Sequence, residues 1–147
     1  MKISECMCHE KICVKPDATV EEVAKKMKDN HVGCMPICDD NNKVVGLVTD
    51  RDVVLRCVAC DKDAKTMPIS EIMTTNVCTA GPNDDIEEAT QKMCNCNVKR
   101  IPIVENGCLK GMLTLSDLST NSPCSNETIG YVFEGICGCN SKNKNAE

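Results

Sequence analysis

Gly46-Leu47-Val48-Thr49-Asp50-Arg51-Asp52 returns in the second half of the chain as Gly111-Met112-Leu113-Thr114-Leu115-Ser116-Asp117. Each stretch ends an apolar run with a threonine and sets an aspartate three residues later. Working outward, the agreement continues upstream. Met35-Pro36-Ile37 returns as Ile101-Pro102-Ile103, Met27 as Met93, Val20-Glu21-Glu22 as Ile86-Glu87-Glu88, and Pro16 as Pro82. Ile3-Ser4-Glu5-Cys6-Met7 returns as Ile69-Ser70-Glu71-Ile72-Met73, and a one-residue deletion in the second hairpin brings the two Gly-to-Asp stretches into line. A repeat defines the structural unit. Two copies are too few for a solenoid, and they suit two units that bury their faces against each other, with clefts along the seam.

Composition narrows the function classes. The chain has 147 residues and a net charge of −5, with no basic stripe to attract a polyanion, so no nucleic-acid partner is expected. No apolar run reaches membrane-spanning length, and the opening MKISECMCHEK lacks an apolar signal region. The expectation is a cytoplasmic protein without a membrane partner. Tyr131 and Phe133 are the only aromatic residues, so the core must come from Val, Ile, Leu, Met, Ala and Cys.

One repeat reads β-α-β-β-α. Lys11 to Val14 reads as a short strand before the Pro16-Asp17 turn. Thr19-Val20-Glu21-Glu22 has capping-box spacing, and Val20, Val23 and Met27 share a helical face. Val32 to Cys38 reads as a strand that Pro36 bulges or confines to an edge, since proline lacks a ladder donor. Asp39 to Lys43 is a polar turn, Val44 to Val48 a strand, and Thr49 opens a helix carrying Val53, Val54 and Leu55. The second copy follows suit: a strand near Val77 to Thr79, a helix capped at Asp85, a strand from Val98 to Val104, an Asn106-Gly107 hairpin turn, a strand from Leu109 to Leu113 and a helix opened by Thr114. The expected domains are 1–60 and 69–122, joined by 61–68. A short helix over 125–139, with Ile129, Val132, Phe133 and Ile136 on one face, and a disordered tail over 140–147 complete the chain.

The duplicated hydrophobic-Pro-hydrophobic strand followed by G-h-h-T-x-x-D resembles the CBS domain, the domain named after cystathionine β-synthase, and two in tandem resemble a Bateman module. The resemblance covers about residues 1 to 120 and extends to small stand-alone two-CBS proteins. It implies an α/β (α+β) fold of two β-α-β-β-α repeats packed with pseudo-twofold symmetry. It implies binding of adenosine-containing ligands such as AMP, ADP or ATP in clefts between the repeats, in a regulatory and non-catalytic protein. Residue by residue, Thr49 and Asp52 take the motif positions, with Thr114, Ser116 and Asp117 in the second copy. A hydroxyl and open N–H groups at a helix start attract phosphate, and an ionised Asp suits two ribose hydroxyls. Arg51 can present a planar fork to phosphate, with Arg56 further along the same helix. Met35, Pro36 and Ile37 are candidate walls for adenine, faced by Val14 and Ile12. Lys99-Arg100 stands where the first copy has Gly33-Cys34, and the resemblance has Arg100 reaching the phosphate of the first site.

Fourteen cysteines are the oddity. They do not follow the repeat: Cys34 matches Arg100, Cys38 matches Val104 and Cys78 matches Ile12. That pattern suits small buried hydrophobes. Only Cys57-x-x-Cys60 has a zinc-ribbon spacing, so no metal site is expected. No G-x-S-x-G elbow, H-E-x-x-H or P-loop is present, and a non-enzyme without a cofactor is expected. Three readings remain open, the third being a purely structural pair with no ligand. The first is an adenine-nucleotide sensor, expected to form a homodimer, with an unidentified protein partner left open. The second is a thiol-based redox or metal-responsive protein on the same scaffold without nucleotide binding.

Overall fold

The computed structural model describes residues 1–121 together with Glu127, Ile129, Gly130 and Glu134. The expected helix over 125–139 and the tail over 140–147 lie, but for those of the four that fall in them, outside the described residues. The chain is a mixed α/β fold. Helix α1 (Val20–Asn30) is followed by β1 (Cys34–Cys38), β2 (Val44–Thr49) and the short α2 (Asp50–Asp52), which runs on as a π-helical stretch, Val53–Val58. The second copy gives α3 (Ile86–Cys96), β3 (Arg100–Glu105), β4 (Cys108–Thr114) and α4 (Leu115–Asn121). Strand β1 pairs antiparallel with β2, and β3 pairs with β4.

Local chemistry explains the elements. Thr19 and Glu22 close the capping box of α1 reciprocally, at 3.2 and 3.0 Å. His31 ends it in the left-handed region at φ 55°, as Asn97 ends α3 at φ 57°. At the start of α3 the expectation fails, since Asp85 makes no side-chain cap; the Ile86 N–H donates to the Met1 carbonyl at 3.1 Å, as the Val20 N–H does to the Met67 carbonyl at 2.9 Å where the cap of α1 is intact. The Asn106-Gly107 turn has φ of 53° and 81°, the paired positive values a tight hairpin needs.

The first strand of each copy is shorter than expected. Only Val14 forms a bridge, parallel to Ile37, and only Ala80 does so against Ile103. Pro36 stands inside β1 without a bulge of its own. Its partner is Leu47, whose N–H and carbonyl both pair with Thr74, at 2.9 and 2.8 Å. The Pro36–Leu47 pair therefore exchanges no hydrogen bond, and the missing donor costs the ladder nothing. The register shift falls one residue later, between Ile37 and Cys38, with Val45 as the extra residue on β2.

The folded units differ from the sequence repeats. One contains Met1–Lys11, Cys78–Glu105 and the described residues from Lys110 on; the other contains Ile12–Val77 and Asn106–Leu109. The Ile-Ser-Glu segments account for the exchange. Ile3 and Ser4 donate their N–H groups to Asp84 and Pro82, both at 2.9 Å. At the same spacing, Ile69 and Ser70 donate to Ala18 and Pro16, at 2.7 and 3.1 Å. The segment that opens the first copy thus clasps the turn before the helix of the second. Each unit has its own core: Ile3, Met93, Ile101, Ile103, Leu113 and Leu118 in one; Val20, Val23, Met35, Ile37, Val48 and Ile69 in the other. Cys6, Cys34, Cys38 and Cys57 are buried as small apolar residues, but Cys8, Cys60 and Cys96 are exposed, so the reading of cysteine as core filler holds for only some of the described thiols.

Two glycines permit the strand contacts. A Cβ on Gly46 would run into the Met73 side chain, and one on Gly111 into the Cys8 carbonyl. A thioether can swing away; a backbone carbonyl held in a bridge to Met112 cannot. Gly111→Ala is therefore expected to cost about 3 kcal/mol and Gly46→Ala about 1 kcal/mol, spanning the usual range for overpacking. Urea denaturation midpoints of the two variants check the order.

Candidate functional site

The Thr-x-x-Asp motif builds the same local geometry in each unit. At the end of β2 the Thr49 N–H donates to Asp52 Oδ2 at 2.9 Å, and the Asp52 N–H donates to Thr49 Oγ1 at 3.2 Å. At the end of β4 the Thr114 N–H donates to Asp117 Oδ2 at 2.9 Å, and the Asp117 N–H to Thr114 Oγ1 at 3.1 Å. Each aspartate is thereby locked at a helix start, with one oxygen committed. Matching backbone bonds hold the turns: the Asp50 N–H to Gly33 O at 3.0 Å, and the Leu115 N–H to Lys99 O at 2.9 Å.

The two sites diverge one turn further on. Arg56 Nε lies 3.7 Å from Asp52 Oδ1, while Arg56 Nη1 donates to Ile72 O at 3.0 Å. The equivalent of Arg56 is Asn121, whose Nδ2 donates to Cys6 O at 3.5 Å. Asparagine keeps the backbone contact and drops the charge. Asp52 is thus an anion facing a guanidinium, with its side chain 19% exposed, while Asp117 has the same cap without that cation. The i, i+4 spacing of Asp52 and Arg56 was the legible signal for the pair.

The other candidates fall in three groups. Arg51 and Ser116 are exposed; Thr49, Thr114, Val14 and Arg100 are partly exposed. Met35, Pro36 and Ile37 are buried, with Met35 and Ile37 fully enclosed in the core of their unit. Their side chains are packing groups in this structure, and what they offer outward is backbone. Val14 lines a pocket. That open depression of about 500 Å³ is bounded also by Cys13, Lys15, Ala18, Glu22 and Lys26. In the other unit, His9, Lys11, Glu105 and Lys110 line one of about 430 Å³. Thr49 and Asp52 line neither. Among the described residues, no three His, Cys, Asp or Glu side chains gather as metal ligands, and no helix is long and apolar enough to cross a membrane.

Comparison with known proteins fits this geometry. The chain matches the CBS domain over residues 3–58 and again over 69–122. It is 35% identical over 134 residues to a CBS domain-containing protein, YhcV, of Bacillus subtilis, covering 91% of this chain and 94% of that one. Among solved structures, it is similar to Hypoxic Response Protein I with two coordinated zinc ions, at TM-score 0.77 and 27% identity over 84% of this chain and all of that one. It is also similar to the CBS domain pair of protein MJ0100 in complex with 5′-methylthioadenosine and S-adenosyl-L-methionine, at TM-score 0.73 and 27% identity, covering 81% of this chain and 93% of that one. Two matched domains, each with its Thr-x-x-Asp cap at the end of a Gly-containing strand, establish that the chain belongs to the CBS-domain family.

Proposed function

We propose that this protein is a non-catalytic sensor of an adenosine-containing ligand, an adenine nucleotide or related adenosyl compound, with Asp52 as its ribose contact. The observation that carries the reading is the state of Asp52. Its carboxylate is fixed by the Thr49 N–H, faces Arg56 loosely at 3.7 Å, and remains partly exposed. A carboxylate has about four acceptor positions, so one committed bond leaves room for two ribose hydroxyls. The similar CBS pair of MJ0100, bound to two adenosyl compounds, supports the ligand class. Arg51 is the proposed phosphate contact beside Asp52. Thr114, Ser116 and Asp117 form the weaker counterpart, lacking the guanidinium that accompanies Asp52.

Asp52→Ala is expected to weaken binding by about 1.5–3 kcal/mol, the range for hydrogen bonds to a charged group, or roughly tenfold and more in affinity. Asp52→Asn keeps an oxygen for the Thr49 N–H and should lose affinity without losing the cap. Asp117→Ala should cost less. Calorimetric titration with AMP, ATP and adenosine measures all three variants. Loss of binding in Asp117→Ala with Asp52→Ala unaffected would move the primary site to the other repeat.

The same titrations separate phosphate from nucleoside recognition. Arg51→Ala should weaken AMP and ATP while leaving adenosine unchanged. Equal loss for all three would make Arg51 a structural residue.

We propose further that the chain works as a homodimer. Val54, Leu55 and Val58 are 55%, 47% and 64% exposed along one helical turn, an apolar surface that a second copy would cover. Twofold homodimers are the commonest closed assembly. Light scattering should give twice the 16.0 kDa chain mass, and Val58→Glu should shift it toward the single chain.

A further inference from the structure

Cys13 and Cys38 are 25 positions apart in sequence yet share one face of a β-bridge. Val14 pairs in parallel with Ile37; the Val14 N–H donates to Pro36 O at 3.2 Å, and the Cys38 N–H to Val14 O at 2.9 Å. Side chains alternate along extended chain. Cys13 and Cys38 each stand one step from the bridged pair, so both project to the face opposite Val14 and Ile37. Their thiols lie close enough there to interact. Lys26 Nζ donates to the Cys13 carbonyl at 2.7 Å, pinning the backbone on that side. The two thiols differ in access. Cys38 is buried, whereas Cys13 is partly exposed and lines the pocket of about 500 Å³.

We propose that Cys13 and Cys38 form a reversible intrachain disulfide, with Cys13 as the thiol that meets the oxidant and Cys38 as the one that resolves it. With a hydroperoxide, the Cys13 thiolate attacks the terminal oxygen. The O–O bond breaks, a sulfenic acid forms on Cys13, and hydroxide leaves, taking up the proton that Cys13 released. The Cys38 sulfur then attacks the Cys13 sulfur. The S–S bond forms, the S–O bond breaks, and water leaves with the Cys38 proton. Two thiols lose two electrons and two protons, and hydrogen peroxide becomes two waters. Closure brings the sulfurs to ~2.05 Å, on the side where the pocket gives Cys13 room.

The order of events follows from environment. Burial, and next to it the neighbouring Cys13 thiol, pushes the Cys38 thiol up to about 12, which keeps it protonated until a neighbouring sulfur is activated. Cys13 is the thiol of the pair that is partly exposed and lines the pocket, so the first step belongs to Cys13. A second close pair of thiols, Cys78 and Cys96, lies in the other unit. Cys96 there is exposed at the end of α3, and the Cys78 Sγ also faces Lys92 O at 3.9 Å; that pair does not flank a bridge as Cys13 and Cys38 flank Val14–Ile37. The disulfide proposal does not rest on nucleotide binding.

The test uses the full reduced chain, treated with hydrogen peroxide, quenched with N-ethylmaleimide, digested and mapped by mass spectrometry. A cross-linked peptide pair containing Cys13 and Cys38, lighter by two hydrogens and released by dithiothreitol, is expected. Cys34 shares a tryptic peptide with Cys38, so Cys34→Ser is mapped alongside and should retain the link. In Cys38→Ser the link should vanish, and Cys13 should become reactive toward dimedone as a trapped sulfenic acid. Should that variant misfold, Cys13→Ser supplies the same loss of the link from the exposed side. The proposal is overturned if Cys13 remains alkylatable at oxidant levels that consume exposed Cys8 and Cys60, or if it pairs with Cys34 or another thiol.

Discussion

The pairing of Leu47 with Thr74, echoed by Met112 with Cys8, holds the rest of the structure in place. It brings the segment after each Ile-Ser-Glu turn against a Gly-containing strand. The close approach favours a strand without a Cβ, strictly at Gly111, where a Cβ would meet the Cys8 carbonyl, and less so at Gly46, where it would meet the movable Met73 side chain. Once Leu47 turns both backbone groups toward Thr74, its other neighbour owes it nothing, and Pro36 fits opposite without an unmet donor. The strand then ends at Thr49, where the aspartate cap begins. One backbone contact therefore explains the glycine, tolerates the proline and sets the origin of the candidate site.

From that origin, the two halves are built alike and charged differently. Both caps exchange the same pair of hydrogen bonds, and both have a side chain one turn on that reaches a carbonyl of the Ile-Ser-Glu segment. Arg56 fills this role in one half and Asn121 in the other. A repeat preserves geometry because backbone bonds are indifferent to the side chains between them. Charge is free to diverge, and here the divergence leaves a partnered carboxylate at Asp52 and an uncharged neighbour at Asp117. Duplication supplied two scaffolds, and substitution gave them different electrostatics.

The cysteines follow a second logic laid over the first. Where Cys34 and Cys57 are buried they pack as apolar residues. Cys13 and Cys38 stand at positions whose repeat partners are Thr79 and Val104, so neither was placed by the duplication. Their meeting is a product of the Val14–Ile37 bridge, a contact between segments separated by all of α1. Repeat comparison cannot detect such a pair, because it compares positions between copies rather than neighbours within one.

The sequence by itself determined the duplication, the family, the α1 capping box, the Asn106-Gly107 turn and the two Thr-x-x-Asp caps. All of these are read from residues within a few positions of each other, where backbone geometry depends on local side chains. It also led to the periodic apolar positions Val20, Val23 and Met27, which are buried as the helix period requires. Only the tertiary structure decided the rest. The clasp of Ile3 and Ser4 on Pro82 and Asp84 crosses the repeat boundary, and no local pattern marks which copy a segment will join. Asp85 has the spacing of a cap, yet its carboxylate makes no cap bond and lies 4.0 Å from the Met1 amino group. Met35 and Ile37 have the composition of a ligand wall, and burial on both faces of β1 made them core. Local chemistry fixes what each segment is; which segments meet is a matter of packing, and packing depends on contacts far apart in the chain.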